Sequence, residues 1–274
     1  MRTIVHLSDL HFGSVLTPTL EPLLARVHEL NPHLVIVSGD LTQRAREQQF
    51  RDAQAYLDRL PRPTLVVPGN HDIPLYDVFR RFLAPLGRYK RFVTDNLSPS
   101  FIDDEIAVVG INSARSLTFK GGTLSRPQIA RAVELFQGLH HHQVRIVVTH
   151  HPLDIPVGLT GVAVVKGAGH ALSSFAQCHV DLLLTGHLHL VHRAPASAHV
   201  PGYDAQILGA GTATSTRARG EPNSFFVFRV DGRRRDGSCI TAETHAWNAA
   251  LGLFHIVDTR SVRRVDHEAR RLFP

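Results

Sequence analysis

The chain of 274 residues is poor in cysteine and aromatic side chains and has no long apolar run. Its two cysteines, Cys178 and Cys239, stand in unrelated contexts without paired spacing. That excludes a disulfide framework or a thiolate zinc site and suits a reducing compartment. No run approaches the ~20 apolar residues of a membrane-spanning helix, and the apolar part of residues 1–8 is too short for a secretory signal. A cytoplasmic protein with no membrane partner is expected. With 7% aromatics there is little to interleave with basic residues, and the net charge of +6 is a mild excess gathered late, in Arg233, Arg234, Arg235, Arg260, Arg263, Arg264, Arg270 and Arg271. Nucleic acid is therefore not an expected partner.

What the chain does have is histidine, 19 residues in all, and a repeated pattern of short apolar runs that stop at polar, ligand-type side chains. Strands are expected over 3–7, 34–37, 64–67, 106–111, 145–149 and 180–185, each four to six residues long and rich in Val, Ile and Leu. Helices are expected over 17–30, 44–60, 76–86, 125–139 and 170–176. A short strand is expected at 91–93. Beyond residue 190 the pattern becomes β runs at 190–194, 206–209, 224–230 and 239–245 without intervening helices, which reads as an antiparallel sheet packed beside the first. Residues 1–246 are expected to form one domain, with 247–274 as a C-terminal extension for packing or oligomer contact.

Five strand ends carry Asp9, His11, Asp40, Asn70, His71, His150, His187 and His189. In an α/β sheet the carboxyl ends of neighbouring strands converge on one crevice, so residues this far apart in sequence can meet. Oxygen and imidazole donors without thiolate suit Mn, Fe, Zn or Co, and there are enough of them for two divalent ions. One carboxylate must then bridge the ions, and Asp40, standing alone on its strand, is the candidate. Two such cations acidify a shared water and neutralise charge developing on phosphate, which points to phosphoester hydrolysis. His71 is placed to give a hydrogen bond or a proton to the leaving oxygen.

The ordered blocks Asp9-Leu10-His11, Gly39-Asp40, Gly69-Asn70-His71-Asp72, His150 and Gly186-His187-Leu188-His189 resemble the calcineurin-like metallophosphoesterase superfamily over roughly the first 190 residues. The resemblance implies a four-layer α/β/β/α sandwich. It implies one metal on Asp9, His11, Asp40 and His189, a second on Asp40, Asn70, His150 and His187, and His71 as catalytic helper without a metal. Gly122-Thr123-Leu124-Ser125, Gly211-Thr212-Ala213 and Pro222-Asn223-Ser224-Phe225 are similar to the class III cyclic-nucleotide phosphodiesterase and glycerophosphodiesterase branch. That implies hydrolysis of a small phosphodiester, a cyclic nucleotide or glycerophosphodiester among them, by a metal-bridging hydroxide.

Several assignments stay open on sequence. His150 is preferred to His151 as ligand because it comes first after its strand, and Asp72 is read as a turn residue. Asn112 and Arg217 are either substrate contacts or, respectively, a cap and a solvated surface residue. The Gly-, Val- and Pro-rich segment 153–169 is either a lid over the site or, with the arginine-rich tail, a contact in a homo-oligomer. Rival functions are a phosphomonoesterase or nucleotide-sugar pyrophosphatase on the same fold, a nuclease, and a metal-free interaction scaffold.

Overall fold

The computed structural model describes residues 1–118, 120–231 and 240–262. Arg233, Arg234, Arg235, Cys239 and the tail arginines from Arg263 onward lie outside them. Two six-stranded sheets are stacked face to face, and helices cover the outer face of each. This is the four-layer sandwich that the family resemblance implied.

In the first sheet β1 (Arg2–Leu7), β2 (Leu34–Val37) and β3 (Thr64–Val66) run parallel. On the other side of β1 it continues through antiparallel β10 (Ser224–Val230), β11 (Ile240–Asn248) and β12 (Leu253–Val262). In the second sheet β4 (Ser100–Ile102) precedes the parallel set β5 (Ile106–Gly110), β6 (Val144–Val148), β7 (Leu182–Thr185) and β9 (Gln206–Gly209), with β8 (His192–Pro195) antiparallel at the far edge.

Strand side chains alternate between faces, and here both faces are buried, so the strands read as unbroken apolar runs. Ile4, Leu34, Ile36, Val108, Ile146, Leu184 and Phe226 meet between the sheets. Val5, Leu7, Val35 and Val37 face outward onto α1 (Leu20–Glu29) and α2 (Glu47–Leu57). Val109, Val147, Leu183 and Ile207 face α5 (Arg126–Gln137) and α6 (Ala168–Gln177).

Four expectations need correction. The C-terminal β runs do not make a sheet of their own. β8 and β9 extend the second sheet, and β10–β12 extend the first, because β10 pairs with the open side of β1 and sends Phe226 and Phe228 into the layer between the sheets. The helix expected over 76–86 is shorter, α3 (Val78–Leu83), stopped before Pro85, whose ring disfavours helical backbone at Ala84 (φ −147°); a second helix, α4 (Gly87–Phe92), follows it. The strand expected at 91–93 is the end of α4, where Tyr89 and Phe92 are buried one helical turn apart; three residues cannot distinguish the two periods. The boundary expected at 246 falls inside β11, and residues 253–262 add an edge strand to the same sheet.

Segment 153–169 is anchored rather than loose at its ends. Leu153 and Val165 are buried, the Val165 N–H donates to the Pro152 carbonyl, and α6 already begins at Ala168, while Val157 between them is fully exposed.

Phe136, wholly buried between α5 and the second sheet, measures how much the helical layer contributes. Phe136→Ala is expected to lower the unfolding free energy by about 3–5 kcal/mol in a urea titration. A loss below about 1 kcal/mol would contradict this packing.

Candidate metal centre

The carboxyl ends of β1, β2 and β3 in one sheet and of β6 and β7 in the other open at the same edge of the sandwich, and their loops are laced together. The Asp9 and His11 N–H groups donate to the Gly39 and Asp40 carbonyls, and the Gly186 N–H donates to the His150 carbonyl. Across the sheets, His150 Nδ1 donates to the Ser38 carbonyl (2.7 Å) and the His187 N–H to Asp9 Oδ2 (2.9 Å). All eight residues singled out from the strand ends are brought together here.

Their backbones are bent into the site. Asp9 (φ 55°), His11 (52°), Asp40 (51°), His187 (71°) and His189 (57°) all adopt the left-handed conformation. For side chains with a Cβ this costs about 1–3 kcal/mol each and is tolerated where the surroundings over-determine it. The glycines beside them answer to close approach. A Cβ on Gly69 would lie 2.1 Å from Asp40 Oδ1, and one on Gly186 would lie 1.9 Å from Ser8 Oγ and 2.7 Å from Asp9 Oδ2.

Two donor clusters result. In the first, His189 Nε2 lies 3.0 Å from both Asp9 Oδ1 and His11 Nε2, and His11 Nε2 is 3.6 Å from Asp40 Oδ2. In the second, Asn70 Oδ1 is 3.1 Å from His150 Nε2 and 3.0 Å from His187 Nδ1, and His150 Nε2 is 3.3 Å from Asp40 Oδ1. Asp40 thus presents one oxygen to each.

The electrostatics fit cations. Burial pushes Asp9 up, but His189 and His11 outweigh it and hold the carboxyl well below the usual range. Burial likewise opposes ionisation of Asp40, and His150 and His71 overcome it. Burial pulls His150 down, yet Asp40 and Asp9 raise it to about 9. His187 is lowered to about 3 by burial and by His150. Asp9 Oδ1 and Asp40 Oδ2, with His11 Nδ1 and His151 Nε2 beside them, are among the buried polar atoms without a well-formed hydrogen bond, and a divalent cation would satisfy the two carboxylate oxygens. Hard oxygen and imidazole donors with no thiolate complete a set suited to divalent metal.

The neighbours of the donors are fixed as well. His71 is not in either cluster: its Nδ1 donates to the Gln43 carbonyl (2.8 Å) and its Nε2 accepts from Arg217 Nη1 (3.0 Å). Burial lowers its pKa, and the Arg217 charge adds to this. His189 Nδ1 donates to the Arg217 carbonyl. Asp72 is the turn residue expected, accepting from the N–H groups of Gly69, Leu41 and Thr42, and burial followed by Asp40 raises it to about 7. His151 lies against His150 and His187 with its Nδ1 on Ser113 Oγ.

The two substrate candidates separate. Arg217 reaches the centre through His71. Asn112 Oδ1 accepts from the Ala114 N–H and closes a local turn, the capping alternative. Sequence reasoning missed Ser8, which donates to Asp9 Oδ2 (2.6 Å), Gln43, and Thr212, whose hydroxyl donates to the Asp9 carbonyl. Ser8 adjoins Asp9 and could have been suspected. Gln43 acts through a carbonyl, which leaves no trace in residue type.

Fold and donors define a metallophosphoesterase. Residues 2–191 match the model of the Calcineurin-like phosphoesterase family, and the chain belongs to that family of phosphoester hydrolases. Over 201 residues it is 22% identical to a 3',5'-cyclic-nucleotide phosphodiesterase of Nostoc sp., covering 68% of this chain and 71% of that protein. Among solved structures it resembles a dimetal phosphatase of Danio rerio (13% identity, TM-score 0.63, 96% of this chain and 99% of that one). It also resembles a purple acid phosphatase from yellow lupin (12% identity, TM-score 0.71), with 97% of this chain matched to 54% of that one. At these identities the structures speak for the fold.

The geometry separates Asn70 from its neighbour. Asn70→Ala is expected to lower the bound metal per chain, measured by elemental analysis after dialysis, whereas His71→Ala is expected to keep the metal content of the parent and to slow turnover. Loss of metal from His71→Ala would show that this division is wrong.

Proposed function

We propose that the protein is a dinuclear metal-dependent phosphodiesterase acting on small phosphodiesters, with one ion on Asp9, His11, Asp40 and His189 and the other on Asp40, Asn70, His150 and His187. The observation that carries the reading is Asp40, a buried carboxylate with one oxygen toward each donor cluster. Divalent ions bound there supply Lewis acidity and acidify the attacking water. Which of Mn, Fe, Zn or Co is bound follows from cellular supply as much as from these donors.

The chain's own residues do the rest. Asp9 and Asp40 stay ionised and keep the donors negative. Asn70 contributes a neutral oxygen, so the charge around its cluster is offset less and the pull on a phosphate oxygen is stronger. His71, pinned through Nδ1 to the Gln43 carbonyl, presents Nε2 to the leaving oxygen. Since Nε2 accepts from Arg217 in the resting site, it first takes up the proton given up by the attacking water and then passes it to that oxygen. The Arg217 guanidinium, 3.0 Å from that nitrogen, is placed to move onto a phosphate oxygen and release it. The diester preference is supported by the cyclic-nucleotide activity in the name of the Nostoc relative. The substrate in this reading is a cyclic nucleotide or a glycerophosphodiester.

The test compares a phosphodiester with its matching monoester in the presence of manganese. Faster diester turnover is expected, reduced about 10²–10⁴-fold in His71→Ala, the span of a general acid's contribution. Faster monoester turnover would overturn the diester reading.

A further inference from the structure

Helix α3 is built inside out. Its one buried residue is Arg81, whose guanidinium donates to the Pro74 and Thr118 carbonyls, while Phe79 and Leu83 are 80% and 83% exposed and Val78 and Phe82 stand more than half exposed. Tyr76, just before the helix, is 76% exposed, and Leu117, on the loop that Arg81 ties to α3, is 83% exposed. Val78, Phe79, Phe82 and Leu83 therefore share one outward face of α3, with Tyr76 and Leu117 exposed on the segments next to it. The following helix does the opposite and buries Tyr89 and Phe92. Scattered exposed apolar residues need no explanation, but a contiguous group of this kind marks a contact surface.

The charge around the face indicates what it contacts. Beside it Arg80, Lys90, Arg91 and Lys120 are exposed, whereas Arg81 is turned inward and Arg88 donates to the Ala45 carbonyl; the acids in reach are Asp77, 3.3 Å from Arg80, and Glu47, 3.9 Å from Arg91, which leaves an excess of positive charge. A second copy docking here about a two-fold axis would bring like charges together. Anionic lipid headgroups would neutralise them while aromatic and leucine side chains enter the boundary layer beneath. We propose that α3 and the adjoining loop dock the protein onto an anionic lipid surface. The face hangs directly from the loop that carries Asn70, His71 and Asp72, since Arg81 is bonded to the Pro74 carbonyl two residues beyond Asp72. A docked molecule therefore holds the metal centre near the bilayer. This departs from the absence of a membrane partner expected from the sequence, where only spanning segments leave a clear signal. It does not depend on the diester reading.

The experiment is cosedimentation of the full chain with vesicles of phosphatidylcholine, with and without phosphatidylglycerol, at low and high salt. Binding only to the phosphatidylglycerol vesicles, weakened by salt, is expected. The doubly substituted Phe79→Asp, Leu83→Asp protein is expected to bind at least about ten-fold more weakly while hydrolysing a soluble aryl phosphoester like the parent. Lys90→Glu with Arg91→Glu should weaken binding without touching the apolar face. The proposal is overturned if the parent does not sediment with phosphatidylglycerol vesicles, if both double variants bind like the parent, or if the parent is a dimer that Phe79→Asp, Leu83→Asp dissociates without any vesicle binding.

Discussion

Two carboxylates, Asp9 and Asp40, lie wholly or almost wholly buried where the two sheets open. An ionised carboxylate in such a place is expensive unless cations or hydrogen bonds surround it. Much of the local structure follows from that constraint. Imidazoles of His11, His150 and His189 crowd the two acids, the Ser8 hydroxyl and the His187 amide occupy Asp9 Oδ2, and the His71 amide occupies Asp40 Oδ1. What stays unsatisfied is one oxygen of each acid, and both of these oxygens face the first cluster, that of His11 and His189. The cost of the arrangement is visible in the backbone, where five ligand-type residues hold left-handed φ. Such strain concentrates at functional sites because only a rigid scaffold sustains it.

The scaffold supplies that rigidity by a simple device. Each strand of the parallel core is buried on both faces, so its register is fixed, and the residue after its last pair is delivered to a defined point. Three such points come from one sheet and two from the other. The stacking of the sheets, not a single crevice in one sheet, brings Asp40 to His150 and Asp9 to His189. Close approach then demands small residues, as at Gly69 and Gly186, which explains why glycine precedes Asn70 and His187 in those blocks.

Much of this was legible in the sequence because buried parallel strands are continuous apolar runs and because Asp, Asn and His at their ends have few structural reasons to recur. Asp9 through His189 could be named from that pattern, and the layered fold followed from the family resemblance. The pairing of β10 with β1 was not legible. Period-two alternation says which face a side chain takes, never which sheet edge the strand joins. The break at Pro85 was visible as a residue but was overridden by helical spacing on either side. The Gln43 carbonyl that orients His71 could not be found at all, since any residue provides a carbonyl. The outward apolar face of α3 was hidden for a related reason, because Arg81 occupies the buried side and a helical pattern does not reveal which side faces the core.

If Asp40 belongs to both clusters, its loss must reach both ions, and the metal content per chain reads this out. Elemental analysis of the parent, Asp9→Asn and Asp40→Asn proteins after equilibration with excess manganese and removal of unbound metal compares a one-cluster carboxylate with the shared one. Two ions are expected in the parent, loss confined to one in Asp9→Asn, and loss of both in Asp40→Asn. An Asp40→Asn protein that keeps two ions, or loses no more than Asp9→Asn does, would show that Asp40 is not shared.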